Sequence, residues 1–123
     1  KDITVFGAEK TLDFTHVDDT VSGLILALER YDTAKNQAYN IAAGTGTRIV
    51  DLVALIQKHM GTDVPVHIEK NRVGDMMKFV GTIDKAQRIL GYTPNVPLAQ
   101  GIVPTIAGYK DFYAKTPHRM PGI

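Results

Sequence analysis

Alternating apolar and polar positions near the start of the chain predict two strands. Ile3–Phe6 is β-branched and aromatic, residues 7–10 are typical of a turn, and alternation resumes over residues 11–17. Together these runs predict a β-hairpin. Either Asp18 or Asp19 is placed to cap the helix that follows, because a carboxylate there meets free backbone N–H groups and the positive end of the helix dipole.

Apolar spacing of three and four residues predicts two helices in the first half of the chain. The first should extend to about Arg30, and its expected buried stripe is Val21, Leu24, Ile25 and Leu28. The second follows a turn at residues 44–47, with Thr47 as its cap and Gly61 as its stop. Its expected buried stripe is Ile49, Leu52, Val53, Ile56 and Met60.

Residues 38–42, between these helices, are apolar on both faces, which is typical of a strand inside a parallel sheet. Such a strand needs neighbours on both sides, and this chain supplies few of them. We therefore expect the rest of that sheet to lie elsewhere.

The second half of the chain predicts short elements separated by glycine and proline. Residues 64–68 form a strand, at a sheet edge because of Pro65, and residues 78–81 are extended. A compact helix at residues 84–90 should end at Gly91. The last helix should lie between residues 98 and 113, with a kink or a late start at Pro104, and the tail at residues 115–123 should be irregular. The order of elements predicts mixed α/β structure.

Composition narrows the possible functions. The 123 residues carry a net charge of +1 without a basic stripe, so we expect no nucleic-acid partner. Cysteine is absent, which excludes disulfides and thiolate chemistry and fits a cytoplasmic location. No apolar run approaches a membrane span, so we expect no membrane partner. Since the chain begins at Lys1 in a strand-like pattern, we expect it to be a piece of something longer.

The segment with most chemical promise is Arg72-Val73-Gly74-Asp75, on a loop between a strand and a short helix. A guanidinium can hold a diphosphate bidentately, glycine lets the backbone come close, and a carboxylate can accept hydrogen bonds from ribose hydroxyls. The alternative is a surface turn with an internal Arg–Asp pair, because four-residue patterns are common.

Other motifs do not complete a catalytic or cofactor site. Gly44-x-Gly46 resembles a phosphate-binding turn, but Ile49 stands where the third glycine belongs. Tyr31-x-x-x-Lys35 has the spacing of a dehydrogenase pair, yet it runs from a helix end into a loop, so we interpret it as a surface pair. The single serine, Ser22, lies in a predicted helix, and the four histidines lack metal-ligand spacing. We therefore predict no catalytic, cofactor-binding or metal-binding residue in this chain.

Four motifs, taken in order, resemble a known family. They are Leu12-Asp13-Phe14-Thr15-His16-Val17-Asp18-Asp19, Tyr39-Asn40-Ile41-Ala42-Ala43-Gly44, Arg72-x-Gly74-Asp75 and Leu90-Gly91-Tyr92-x-Pro94. They are similar to the C-terminal part of extended short-chain dehydrogenase/reductases. The nearest group is the NAD-dependent nucleotide-sugar epimerases and dehydratases, of which UDP-glucose 4-epimerase is the best-known member.

The resemblance implies an α/β fold: the substrate-binding domain of an extended Rossmann-type enzyme plus an edge strand of the Rossmann sheet, at residues 38–42. Residues 1–123 would be the C-terminal nucleotide-sugar-binding part, and the N-terminal Rossmann domain, with its NAD fingerprint and catalytic Tyr-x-x-x-Lys pair, would be absent. The parent enzyme would bind NAD, whereas this chain alone would bind none. Arg72 would hold the diphosphate of a UDP-hexose and Asp75 would contact its ribose.

One position departs from the family pattern. Where many members have an arginine that contacts phosphate, this chain has Leu12, and a lost charge-assisted bond costs about 1.5–3 kcal/mol. Either another cation substitutes, such as Lys10, or the protein prefers a different ligand. The sugar, and the choice between epimerase, dehydratase and decarboxylase, remain open.

Three hypotheses follow. The first is the UDP-sugar-binding part of an NAD-dependent nucleotide-sugar epimerase, inactive as an isolated fragment. The second is a free-standing, non-catalytic module derived from that family, which binds a ligand or associates with itself; we expect a homo-oligomer, because apolar surface that meets the Rossmann domain needs cover. The third is an unrelated α/β binding module.

Overall fold

The computed structural model describes residues 2–116 and has α/β architecture, as predicted. Within these residues, five strands and five helices are interspersed. They are β1 (Ile3–Phe6), β2 (Thr11–Asp13), α1 (Val17–Glu29), α2 (Tyr31–Ala34), β3 (Gly46–Arg48), α3 (Ile49–Met60), β4 (Val66–Glu69), β5 (Lys78–Phe79), α4 (Asp84–Leu90) and α5 (Leu98–Lys115). Among the described helices, none is long and apolar enough to cross a membrane.

The strands form two small sheets. In one, β1 lies parallel to β4, with Ile3 opposite Val66. In the other, β2 is central, antiparallel to β3 and parallel to β5. The predicted turn at residues 7–10 is present, since the Lys10 N–H donates to the Gly7 carbonyl at 3.1 Å. The predicted hairpin is wrong, because β1 and β2 enter different sheets.

Gly7 explains part of this separation. Its φ of +79° lies in the left-handed region that glycine tolerates. A Cβ there would overlap the Asn71 side chain, so this position needs glycine for space as well. The chain turns sharply at Gly7 and brings the loop after β4 against the start of β2.

The face that α1 buries differs from the prediction. Asp19 and Gly23 are buried, and Gly23 packs so closely on Ile41 that a Cβ would lie 2.6 Å from it. The predicted stripe at residues 21, 24, 25 and 28 is instead 46–72% exposed. The helix therefore has two apolar faces, of which only one is covered by the described chain.

Capping also differs from the prediction in both long helices of the first half. His16 caps α1, where its Nδ1 accepts from the Asp18 N–H at 3.2 Å, so neither Asp18 nor Asp19 is the cap. Arg48 precedes α3, and Thr47 lies in β3 instead of capping. The predicted stop at Gly61 is confirmed, with a φ of +66°.

The remaining sequence predictions are mostly confirmed in the second half. The helix at residues 84–90 ends at Gly91 as predicted, with a φ of +68°. The last helix begins at Leu98 without a late start and continues through Pro104 to Lys115. The predicted irregular tail was placed one residue too early, because Lys115 is still helical, and its residues 117–123 lie outside the described residues.

Residues 38–42 form no strand with any described part of the chain. Side chains hold this segment instead. The Asn40 amide donates to the Thr82 carbonyl at 3.1 Å, and the Tyr92 hydroxyl donates to the Ala42 carbonyl at 2.9 Å. The small core beside it comprises Ala34, Ala86, Leu90 and Tyr92, packed against Leu26, Ala27, Tyr39, Ile41, Ile83 and Ile89.

Candidate functional site: the Arg72 turn and its neighbours

The sequence-predicted site residues lie together on a tight turn after β4. The Asp75 N–H donates to the Arg72 carbonyl at 3.1 Å, which closes the turn. Gly74 occupies the third position with a φ of +86°, the conformation that such a turn favours in glycine. The turn thereby fixes the backbone positions from which the guanidinium and the carboxylate extend.

Lys10 completes a cluster with this turn. Its Nζ lies 2.8 Å from Asp75 Oδ2, with the lysine side chain 18% exposed and the aspartate side chain 32% exposed. Strand pairing brings the two together, because β2 lies parallel to β5 and the Thr11 N–H donates to the Met77 carbonyl at 2.9 Å.

Arg72 stacks on an aromatic ring. Its guanidinium carbon lies 4.2 Å from the centre of the Phe6 ring, a cation–π geometry that leaves the edge of the guanidinium open. Within the described residues, Arg72 makes no side-chain hydrogen bond or ion pair, so its planar fork of donors faces solvent.

The electrostatics of the cluster favour an ionised Asp75. The hydrogen bond from Lys10 lowers the pKa of the Asp75 carboxyl below its ordinary value, and the charges of Lys10 and Arg72 act in the same direction. Two cations therefore act on one carboxylate, and these three side chains together carry a net positive charge. Such a surface can bind an anion that also carries hydroxyl groups.

A second carboxylate, Asp13, ties three segments together beside this cluster. Its Oδ1 accepts from the Ala43 N–H at 3.0 Å, and its Oδ2 accepts from the Gly44 and Gly81 N–H groups at 3.0 and 3.1 Å. Thr15 donates to Asp13 Oδ1 at 3.1 Å and accepts from the same Ala43 N–H at 3.0 Å. Because both oxygens of Asp13 accept these hydrogen bonds, we assign Asp13 a structural role.

Asp19 has a similar structural role in α1. It is 2% exposed, and its two oxygens accept from the Asn95 and Val96 N–H groups at 2.7 and 3.2 Å. The buried Tyr92 lies nearby, and burial raises the pKa of its phenol, with smaller contributions from the charges of Asp19 and Asp13. The family-like motifs around Asp13, Asp19 and Tyr92 thus serve mainly to fix the fold.

The glycine pair at residues 44 and 46 does not form a dinucleotide-binding turn. Gly46 begins β3 opposite Asp13, so a strand follows the turn where a phosphate site needs a helix N-terminus. A Cβ on Gly46 would lie 2.5 Å from the Thr11 side chain, which gives that glycine a packing role. These residues do not fit NAD.

The other motifs assemble no catalytic site. Lys35 pairs with Asp32 at 2.9 Å, and its Nζ lies 5.8 Å from the centre of the Tyr31 ring, on an exposed helix end. His67 pairs with Asp2 at 2.8 Å. Over residues 2–116, no group of three His, Asp or Glu side chains could hold a metal ion. His118 lies outside the described residues.

A groove between α3 and α5 lies away from the charged cluster. It has a volume of about 640 Å³ and contains neither Arg72 nor Asp75. Its lining is almost entirely apolar, with Ile56, Ile102 and Tyr109 among its residues. We assign the candidate site to the Arg72 turn and not to this groove, because the turn carries charged side chains suited to a polar ligand, whereas the groove lining is almost entirely apolar.

Sequence reasoning placed Arg72 and Asp75 on one turn because the turn pattern is local. It noted Lys10 only as a substitute cation and missed the contact with Asp75, since that contact depends on which strands pair. It read Asp19 as a helix cap and gave no role to Tyr92. Because the sequence pattern placed Lys10 in a turn, it gave no indication of which side chain Lys10 would contact.

Comparison with known proteins gives consistent matches. Residues 1–42 match the NAD dependent epimerase/dehydratase family. UDP-glucose 4-epimerase 2 of Arabidopsis thaliana is 34% identical over 99 residues, which cover 73% of this chain and 28% of the relative. The chain spans between 23% and 28% of the length of such relatives.

Solved structures match almost the whole chain. UDP-glucose 4-epimerase from Thermotoga maritima, with UDP-glucose, has a TM-score of 0.82 and 30% identity over 91% of this chain and 36% of its own. UDP-glucuronic acid 4-epimerase from Bacillus cereus, with UDP-glucuronic acid and NAD, has a TM-score of 0.83 and 29% identity over 92% of this chain and 36% of its own.

Proposed function

The chain belongs to the NAD-dependent epimerase/dehydratase family, and we propose that it is the C-terminal, nucleotide-sugar-binding part of an NAD-dependent nucleotide-sugar epimerase. The ligand is a UDP-hexose or a close relative of one. The observation that carries the proposal is the cluster of Arg72, Lys10 and Asp75, where cationic donors and a carboxylate share one surface. The UDP-sugars bound in the two solved epimerases support the choice of ligand.

Each charged group has a chemical role in this proposal. The open fork of Arg72 binds the diphosphate, held in place by its stacking on the Phe6 ring. Asp75 accepts a hydrogen bond from a ribose hydroxyl, for which its lowered pKa keeps it ionised. Neither residue transfers a proton or hydride, so their contribution to the reaction is binding and orientation.

Catalysis belongs to another part of the protein in this proposal. The chain corresponds to 36% of the solved epimerases, and residues 44–46 do not fit NAD. In this proposal, the N-terminal Rossmann domain binds NAD and carries the catalytic acid–base pair. Residues 38–42 extend the edge of its sheet. Conversion of a UDP-sugar by this chain alone, with NAD added, would contradict this division.

The exposed apolar face of α1 favours a second candidate, self-association. Leu24 and Leu28, at its centre, are 59% and 72% exposed, and contiguous exposed apolar surface is typical of an interaction site. In the first proposal the Rossmann domain covers this face. In the second, another copy of the chain covers it, and the protein is a non-catalytic binding module.

The first test is UDP binding by calorimetry in Arg72→Ala. Loss of charge-assisted bonds to the diphosphate should weaken binding about 10- to 100-fold, from roughly 1.5–3 kcal/mol. Arg88→Ala, an exposed arginine on α4, is the matched control and should bind UDP as the unchanged protein does. Equal affinity in both variants, or no UDP binding at all, would rule out the proposed site.

A further inference from the structure

Lys10 is held in place by its own backbone as well as by Asp75. Its N–H donates to the Gly7 carbonyl at 3.1 Å, and its carbonyl accepts from the Ile49 N–H at 3.0 Å. The second bond continues the β2–β3 pairing by one residue. The backbone that carries this ammonium is therefore anchored to a turn and to the first residue of α3.

The side chain of Lys10 has donors to spare. An ammonium carries three N–H groups, and one of them is used on Asp75 Oδ2 at 2.8 Å. Because the side chain is only 18% exposed, a ligand that meets it displaces little water and interacts more strongly than at an open surface. The remaining donors lie beside the turn that carries Arg72.

Strand geometry explains why Lys10 can stand in for a cation at position 12. Side chains two residues apart on a strand project from the same face. Leu12 lies in β2, opposite Phe79, and the paired backbone extends to Lys10, so both positions face the same side. The apolar Leu12 can pack there while Lys10 supplies the charge.

We propose that Lys10 is the second cation of the diphosphate site and that its ion pair with Asp75 is a latch which the ligand opens. The inference rests on the proposed function of the Arg72 turn. When a nucleoside diphosphate binds, phosphate oxygens take the ammonium, and a ribose hydroxyl takes the carboxylate that the ammonium leaves. A ligand that carries only phosphate must separate Lys10 from Asp75 without offering Asp75 a new hydrogen-bond donor. The ion pair therefore lowers the affinity for such a ligand relative to a nucleoside diphosphate.

The test measures UDP and inorganic pyrophosphate binding by calorimetry, in the protein as its source makes it. Lys10→Met should weaken both about tenfold, and Lys10→Arg should retain most of the affinity. Asp75→Asn should bind pyrophosphate several-fold more tightly, because Lys10 is released and a repelling charge is removed. A purely structural ion pair would weaken binding in Lys10→Met and Asp75→Asn alike.

The outcomes separate this inference from the proposed function. If Arg72→Ala weakens UDP binding but Lys10→Met stays within twofold of the unchanged protein, the Lys10 role is rejected and the site stands. If Asp75→Asn weakens pyrophosphate binding, the latch is rejected. If the unchanged protein binds neither UDP nor pyrophosphate, the proposed function fails with it. Thermal unfolding of each variant confirms that the fold is retained.

Discussion

At the scale of single residues, the carboxylate of Asp19 fixes the loop before α5. It is 2% exposed and accepts from two backbone N–H groups, at Asn95 and Val96. In Asp19→Asn, one acceptor oxygen becomes an NH₂ group that faces a donor. We expect the free energy of unfolding to fall by about 1–3 kcal/mol, because a buried N–H loses its partner. Urea denaturation measures this change.

Asp18→Asn is the matched control for that substitution. Its side chain is adjacent in sequence but 77% exposed, with only a 3.5 Å approach to His16. Removing an exposed charge of this kind should change stability by about 0.5 kcal/mol or less. Equal losses in the two variants would show that Asp19 acts through its charge at the start of α1 and not through the loop.

Tyr92 predicts a pH dependence of stability. Burial raises the pKa of its phenol, and the hydroxyl donates to the Ala42 carbonyl at 2.9 Å. In the unfolded chain, Tyr92 ionises at the ordinary tyrosine pKa of about 10, which lies below its pKa in the folded protein. Between these two pKa values the unfolded state therefore binds fewer protons than the folded state does. The stability due to the neutral phenol is therefore complete below pH 10 and is lost as the pH rises toward the folded pKa.

Tyr92→Phe isolates this contribution. At pH 7 the variant should be about 0.5–1.5 kcal/mol less stable, because the Ala42 carbonyl loses its donor. Above pH 10 the difference in stability between this variant and the unchanged protein should narrow. Ionisation of Tyr92 favours the unfolded state, whereas phenylalanine does not ionise. Urea midpoints from pH 7 to pH 11 measure the gap, and the exposed Tyr109→Phe should differ little at either end. A gap that widens with pH would contradict the assignment.

At the scale of elements, local patterns predicted four of the five described helices, missed the short α2 at Tyr31–Ala34, and did not predict how the strands pair. Gly61 and Gly91 ended α3 and α4 as expected, because a left-handed residue after a helix is a local requirement. The hairpin was wrong because the partner of Ile3 is Val66, far along the chain. Partner choice depends on the whole fold, and a short alternating run carries no information about it.

The residues of the candidate site also fall into two groups: those that a local pattern places, and one whose contact depends on strand pairing. Arg72 and Asp75 belong to one turn, whose glycine has the positive φ that the pattern implies, so four residues were enough to place them together. The contact between Lys10 and Asp75 required β2 to lie beside β5. Such a contact becomes predictable only when strand pairing is known, which is why the sequence left Lys10 as one of two options.

For α1, the sequence found the right helix and the wrong buried face. Apolar residues occur on both sides, and periodicity cannot tell which side the chain itself covers. The described chain packs the side with Gly23 against Ile41. The predicted stripe, with Leu24 and Leu28, is left for another surface.

At the scale of the whole molecule, the exposed face of α1 and the unpaired segment at residues 38–42 belong to one argument. The open apolar face of α1 and the apolar segment at residues 38–42, which pairs with no described strand, are both suited to contact with a further surface. The Rossmann domain would cover both at once. A second copy of this chain would have to do the same.

Leu24→Glu tests which surface covers α1. In the 123-residue chain as a monomer, where Leu24 is 59% exposed, the free energy of unfolding should change by about 0.5 kcal/mol or less. In a longer protein whose Rossmann domain packs on the helix, the same change buries an unpaired charge and should cost about 3 kcal/mol or more. Gln87→Glu, which adds the same charge to an exposed position of α4, should be neutral in both.

Sedimentation of the same variants distinguishes between a second copy of the chain and the Rossmann domain as the surface that covers α1. If another copy covers the face, the 123-residue chain should be a dimer at micromolar concentration, and Leu24→Glu should convert it to a monomer while Gln87→Glu does not. If the Rossmann domain covers it, the large loss of stability should occur only in the longer protein, without a change in its oligomeric state. A monomeric chain combined with a longer protein that tolerates the glutamate would contradict both, because the face would then need no partner.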